Sequence, residues 1–190
     1  MVELFDAGTL VVSATRAEAA HVPAGTRLLI TGIGKVRAAT VLSRELSAAE
    51  NGAAPAVTGV VNIGTAGALH VRHAGLFIPS TVIEHDISSV ALRSMGYDIV
   101  DTYTFDGDGT VLATGDTFIA DPAVRDELAQ RADLVDMEGA ALAHVCAAFG
   151  VDLTLVKVVS DSADEQAMDW PSLVDAAARQ LGQWLAERAG

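Results

Sequence analysis

The chain has 190 residues, 51% hydrophobic and 19% charged. That is enough apolar material for a packed core, and it excludes a disordered chain. The formal net charge of −13 repels phosphate backbones and argues against nucleic-acid binding, and no apolar run is long enough to cross a bilayer.

Met1 to Ala14 lacks a signal-peptide pattern, and the single Cys146 excludes an internal disulfide framework. The expectation is one cytoplasmic domain, residues 1–190, without a membrane partner. Leu10 to Ala14 reads as a first strand, with Thr15-Arg16-Ala17-Glu18 at its carboxyl end. Ala19 to Gly25 contains Pro23 and is too short for a crossover helix. Arg27 to Thr31 is a second strand, running into Gly32-Ile33-Gly34-Lys35. Val36, Ala39, Leu42 and Leu46 then recur at helical spacing in a helix from Val36 to Glu50. Gly59 to Ile63 is a third strand, closed by Gly64-Thr65-Ala66-Gly67.

Leu76 to Ile83 reads as one further strand, with His85-Asp86 past its end. Tyr97 to Phe105 alternates enough for an extended or edge strand, and Asp106-Gly107-Asp108-Gly109 is a turn. Thr110 to Thr114 is a strand leading into Gly115-Asp116-Thr117-Phe118-Ile119. Asp121-Pro122 reads as an N-cap followed by proline at the first helical position, opening a helix to about Arg131. Val135 to Glu138 leads into a small-residue helix, Gly139 to Phe149, which stops at Gly150. Leu153 to Val159 is apolar apart from Thr154 and Lys157, as expected of a strand covered on both faces. Pro171 opens a last amphipathic helix. Strands alternating with helices predict an α/β fold with a mostly parallel sheet and helices on both faces.

Ligands of open α/β sheets bind outside the carboxyl ends of the strands. Three acids fall there: Glu18 after the first strand, Glu138 at a helix start and Asp161 after the strand through Lys157. A helix start stabilises negative charge, and the carboxylate of Asp161 is expected to be partly desolvated. Acids converging in this way suit a reaction with a cationic transition state and a leaving group that needs a proton. The other site classes find no support. The glycine runs do not complete a P-loop or dinucleotide fingerprint, the histidines and lone cysteine make no zinc pattern, and no Gly-x-Ser-x-Gly elbow occurs. No metal or cofactor is expected.

Five motifs in order resemble one family: Thr31-Gly32-Ile33-Gly34-Lys35-Val36, Asn62-Ile63-Gly64-Thr65-Ala66-Gly67, Gly115-Asp116-Thr117-Phe118-Ile119, Asp136-Met137-Glu138-Gly139-Ala140 and Val159-Ser160-Asp161. They look like the nucleoside phosphorylase superfamily, most like its methylthioadenosine/S-adenosylhomocysteine nucleosidases in a shortened form. The resemblance spans roughly Leu10 to Gln166. It implies a three-layer αβα sandwich around a mostly parallel mixed sheet, a homodimer, and hydrolysis of the N-glycosidic bond of a purine nucleoside. It further implies that Glu138 holds the ribose hydroxyls, with Met137 beneath the sugar. Asp161 would protonate N7 of the leaving adenine, oriented by Ser160. Phe118 would stack on the base, and backbone groups of Ile119 would read its edge. Glu18, with Thr65 nearby, would position the attacking water. Ile33 and Trp170 would line the pocket of the 5′ substituent.

An Arg often stands where this chain has Asn62 in the phosphorylases of the superfamily, so water is the favoured acceptor. The chain departs from the family in lacking most of the first crossover helix after Glu18 and in a reduced stretch from Asp86 to Val111. It also has Asp136 for the usual Glu and Lys157 for the usual Arg. The alternatives are a purine nucleoside phosphorylase, a futalosine-type hydrolase, or a nucleoside-binding protein without turnover.

Overall fold

The apolar runs of the chain assemble into a nine-stranded mixed sheet clasped between helices. A computed structural model describes residues 6–163 and 170–188. In chain order the elements are β1 (Thr9–Ser13), β2 (Leu28–Ile30), α1 (Lys35–Glu50), β3 (Gly59–Ala68), β4 (Leu76–Phe77), β5 (Thr81–Glu84), α2 (Ser89–Ser94) and β6 (Thr102–Thr104). There follow β7 (Val111–Thr114), α3 (Pro122–Leu128), β8 (Leu134–Asp136), α4 (Gly139–Phe149), β9 (Asp152–Asp161) and α5 (Trp170–Ala186). Among the described residues no helix is long and apolar enough to cross a membrane.

The sheet runs β2-β1-β3-β8-β7-β5-β6, with β9 beside β3 and β4. β1 pairs parallel with β2 and β3, β3 with β9, β5 with β7, and β7 with β8. The antiparallel pairs are β3 with β8, β4 with β9 and β5 with β6. β3 is the organising strand. One edge pairs with β1 over its first half and with β8 at Gly67 and Ala68, while the other edge runs along β9.

Side chains alternate across a strand, and the alternation in β1, β3 and β9 explains why these strands read as unbroken apolar runs. Leu10, Val12, Val60 and Leu155 face Leu42 and Leu46 of α1 and Leu142 and Val145 of α4. Val11, Val61, Ile63, Val156 and Val158 face Ala177, Leu181, Trp184 and Leu185 of α5. Cys146 is buried among the first set. The helix-end expectations hold where local chemistry decides them. The Asp121 side chain accepts from the Ala123 N–H at 2.8 Å, and α4 stops at Gly150, whose φ of 65° suits glycine.

Several expected boundaries move. β3 does not close at Ile63 but runs on to Ala68, because β9 pairs with it along that whole length. The expected strand from Leu76 to Ile83 is two strands; Pro79, which has no N–H to give a ladder, lies in the break between β4 and β5. The expected extended stretch Tyr97 to Phe105 contracts to the three residues of β6. The helix from Pro122 ends at Leu128 rather than Arg131, and turns carry the chain onward. β8 and α2 were not expected from the sequence, being three and six residues long. As expected, no helix forms between Glu18 and Gly25.

Candidate active site

A cavity of about 510 Å³ opens where β1, β3, β8 and β9 end and where the segment after β7 crosses over them. Every expected site residue whose side chain is described lines it: Glu18, Ile33, Thr65, Phe118, Ile119, Met137, Glu138, Ser160 and Asp161. The side chain of Trp170 lies outside the described residues. Thr15 and Asp136 also line the cavity.

Glu18 reaches back beneath the end of β1 and is 5% exposed. One oxygen accepts from the Thr65 N–H and hydroxyl, both at 2.9 Å. The other accepts from the Thr15 N–H at 3.1 Å and hydroxyl at 2.8 Å. The carboxylate is therefore fixed on both sides. Gly64 makes room for it: a Cβ there would lie 3.3 Å from both Glu18 Oε1 and Lys157 Nζ. The glycines of Gly64-Thr65-Ala66-Gly67 thus sit inside a strand and leave space for side chains. A Cβ at Gly67 would come within 3.1 Å of Asp161 Oδ1.

Among the described residues Lys157 is the largest fully buried side chain. Its ammonium meets Asp136 Oδ2 at 2.8 Å, and each side chain of the pair is 2% exposed. Burial pulls the ammonium down, but Asp136, Glu138 and Glu18 outweigh it and hold Lys157 above its usual range. Asp136 is further tied by the Thr114 hydroxyl at 2.6 Å and the Gly139 N–H at 3.0 Å. The Thr114 hydroxyl in turn accepts the Ala140 N–H at 3.0 Å. The first free N–H groups of α4 are thus taken by Asp136 and Thr114.

The expectation that α4 stabilises Glu138 is therefore corrected. Glu138 stands at the N-cap, but its side chain makes no cap bond. It turns across the cavity and accepts the Gly34 N–H at 2.8 Å, at the start of α1. Burial, with Asp136 close by, pushes the Glu138 carboxyl up to about 7, although Lys157 and the Gly34 N–H pull the other way. Asp161 is half-buried, as expected of a partly desolvated group. Its two oxygens accept from the Ser160 hydroxyl at 2.7 Å and the Ala163 N–H at 2.9 Å. Ile119 is buried, whereas Phe118 and Ile33 stand about half exposed at the mouth.

Sequence reasoning missed the pairing of Lys157 with Asp136. The signal was present: a lysine inside a strand apolar on both faces needs a buried acid. It also missed Thr15, whose spacing of three from Glu18 lets its hydroxyl reach the carboxylate.

The phosphorylase superfamily model matches residues 108–188. A 5′-methylthioadenosine/S-adenosylhomocysteine nucleosidase of Shewanella frigidimarina is 31% identical over 186 residues, covering 80% of this chain and 76% of that protein. An aminodeoxyfutalosine nucleosidase of Helicobacter pylori is 30% identical over 112 residues, 57% of this chain and 48% of that one. The chain spans about half the length of the first curated relatives it matches. In structure it is similar to the S. pneumoniae methylthioadenosine/S-adenosylhomocysteine nucleosidase with a transition-state inhibitor. The TM-score is 0.79 at 22% identity, over 95% of this chain and 98% of that one. That likeness is one of fold.

Removing one partner of a buried ion pair leaves an uncompensated charge and costs ~3–5 kcal/mol. Lys157→Met is expected to lose stability on that scale in urea unfolding, and Asp136→Asn/Lys157→Met to recover most of it. A single variant as stable as the wild type would show that the pair holds nothing together.

Glu138 ties stability to pH. Burial and Asp136 raise its carboxyl from the ordinary 4.5 to about 7 in the folded chain, so its contribution to folding is complete below about 4.5 and is lost as pH rises through about 7. Glu138→Gln is therefore expected to melt higher than the wild type at pH 8, with the gap closing toward pH 5. Melting curves with no pH-dependent gap would contradict the burial of this charge.

Proposed function

The chain belongs to the phosphorylase superfamily, in the group of the 5′-methylthioadenosine/S-adenosylhomocysteine nucleosidases, and on that footing we propose that it hydrolyses the N-glycosidic bond of an adenine nucleoside. The observation that carries the reading is the convergence of Glu18, Glu138 and Asp161 on one cavity, each held by hydrogen bonds from a different element.

The chemistry follows from those positions. As the glycosidic bond stretches, positive charge grows on the ribose and negative charge on the base. Glu138 accepts hydrogen bonds from the ribose hydroxyls and, with Glu18, faces the developing cation; Met137 lies beneath the sugar. Asp161 delivers a proton to N7 of adenine, making it a tolerable leaving group. The Ser160 hydroxyl and Ala163 N–H fix the direction of that carboxyl. Phe118 stacks on the base beside the backbone of Ile119. Glu18 and Thr65 position a water for attack on the sugar carbon. Ile33, at the mouth, borders the 5′ substituent.

Water as the acceptor is supported by the charges at the cavity. Among the described residues no Lys or Arg lines it, and Arg16 is exposed. Asn62 is buried on the core face of β3, where its amide donates to the Val12 carbonyl at 3.1 Å. A phosphate would find no cationic partner there.

A homodimer suits the surface. Val90, Met95, Tyr97 and Val100 stand exposed in the stretch around α2, and Ile33 and Val36 stand exposed at the amino end of α1 beside the mouth. Exposed apolar side chains of this kind are what a dimer contact would cover. Light scattering at micromolar concentration is expected to give a dimer; a fully active monomer would contradict it.

The activity test is direct. Incubation with methylthioadenosine, S-adenosylhomocysteine and aminodeoxyfutalosine in phosphate-free buffer is expected to release free base and a free sugar. A sugar 1-phosphate as the main product, formed only when phosphate is added, would replace water by phosphate. Asp161→Asn is expected to fold normally and lose base release by about a hundredfold or more, the scale of a lost general acid. A nitrophenyl riboside, whose leaving group needs no proton, is expected to lose far less. Equal losses on the two substrates would remove Asp161 from the role of acid.

A further inference from the structure

The amino end of α1 holds two carboxylates, Glu138 from the cavity lining and Asp116 from just before the segment that lines it. The Gly34 N–H donates to Glu138 Oε1 at 2.8 Å, and the Lys35 N–H donates to Asp116 Oδ1 at 2.7 Å. Glu138 belongs to the sugar side. Asp116 stands two residues before Phe118, on the base side. Gly34 has a φ of 94°, and a Cβ there would come within 3.1 Å of Asp116 Oδ1, so glycine alone fits this turn without strain.

The Lys35 side chain extends the link. Its ammonium meets Glu84 Oε1 and Asp86 Oδ1, both at 2.6 Å. The other Asp86 oxygen accepts the Asp116 N–H at 2.8 Å. The ring closes on itself: ammonium to Asp86, Asp86 to the backbone of Asp116, and the Asp116 carboxylate to the backbone of Lys35. Burial works against the charge on Lys35, but Asp86 and Glu84 outweigh it and hold it above its usual range. The side chain is 18% exposed.

A lone surface ion pair contributes ~0–1 kcal/mol and fixes little. This one differs because its carboxylate is shared with the backbone of a segment that lines the cavity. Phe118 is itself about half exposed, so surrounding side chains cover only part of it. Its position is therefore set by the backbone on either side. Neither Lys35, Asp86 nor Asp116 lines the cavity, so none is placed to touch a ligand directly.

We propose that Lys35 is a positioning residue: through Asp86 and Asp116 it holds the segment bearing Phe118 at a fixed distance from Glu138, both gripped by the first turn of α1. The inference rests on reading the cavity as a nucleoside site with Phe118 against the base. Of the two lysines in the chain, Lys157 then serves the sugar side and Lys35 the base side.

The test compares two substrates. Lys35→Met keeps the stem of the side chain and removes its charge. KM for the best adenine nucleoside is expected to rise about tenfold, the effect of one lost charge-assisted contact that acts equally on bound substrate and transition state. Its kcat should stay near that of the wild type, as should both constants for a nitrophenyl riboside, and Lys35→Arg should restore most of the lost affinity. Asp116→Ala cuts the same link without leaving Glu84 and Asp86 unpaired, and is expected to give the same split should Lys35→Met fold poorly. Equal losses on both substrates, or an unchanged KM in both variants, would overturn the inference. Wild-type protein that cleaves the riboside but no adenine nucleoside would overturn the base-side reading on which it stands.

Discussion

One buried ammonium organises this molecule. Lys157 sits inside β9 with Asp136 at 2.8 Å, and each side chain is all but closed off from solvent. Taking both charges out of water is costly, and the cost is offset only where further hydrogen bonds complete the pair. Thr114 from β7 and the Gly139 N–H supply them. The same arrangement fixes the order of β7, β8 and the start of α4, and it leaves Glu138 free of its own helix. Glu18 approaches the ammonium from the other side across Gly64, whose missing side chain leaves the gap. Glu18, Asp136 and Glu138 are thus set around one positive charge, and they outnumber it.

That imbalance links stability to function. A cavity that crowds carboxylates against one lysine holds Glu138 near 7 and would be more stable with that carboxyl neutral. The excess of negative groups is what a ribosyl cation would relieve. Electrostatic stabilisation of this kind works because the groups are already in place before charge develops. Rigid partners provide it here: Thr15 and Thr65 hold Glu18, Gly34 holds Glu138, and Ser160 and Ala163 hold Asp161.

Much of this was readable from the sequence, for reasons that can be located. Local chemistry placed the Asp121 cap, the end of α4 at Gly150 and the apolar strands. The rule that ligands sit at the carboxyl ends of strands gathered Glu18, Glu138 and Asp161 before any contact was known. What was not readable depends on partners distant in the chain. Glu138 finds Gly34 104 residues away, and no local pattern specifies that. β8 is three residues long and is absorbed into the approach to α4. β3 continues through a glycine-rich stretch because β9 lies beside it, although the stretch alone reads as a turn. Lys157 was visible as an interruption, but its meaning required seeing Asp136 on β8, across β3 in the same sheet.

The most direct measurement is calorimetric. An adenine nucleoside analogue whose ribose is replaced by a protonated pyrrolidine carries the charge that Glu18 and Glu138 are proposed to face; the matching cyclopentane analogue keeps its shape without the charge. The cationic analogue is expected to bind at least about a hundredfold more tightly, the lower end of the preference shown for transition-state mimics. Equal affinity for the two would mean that the carboxylates of this cavity do not hold a cationic sugar.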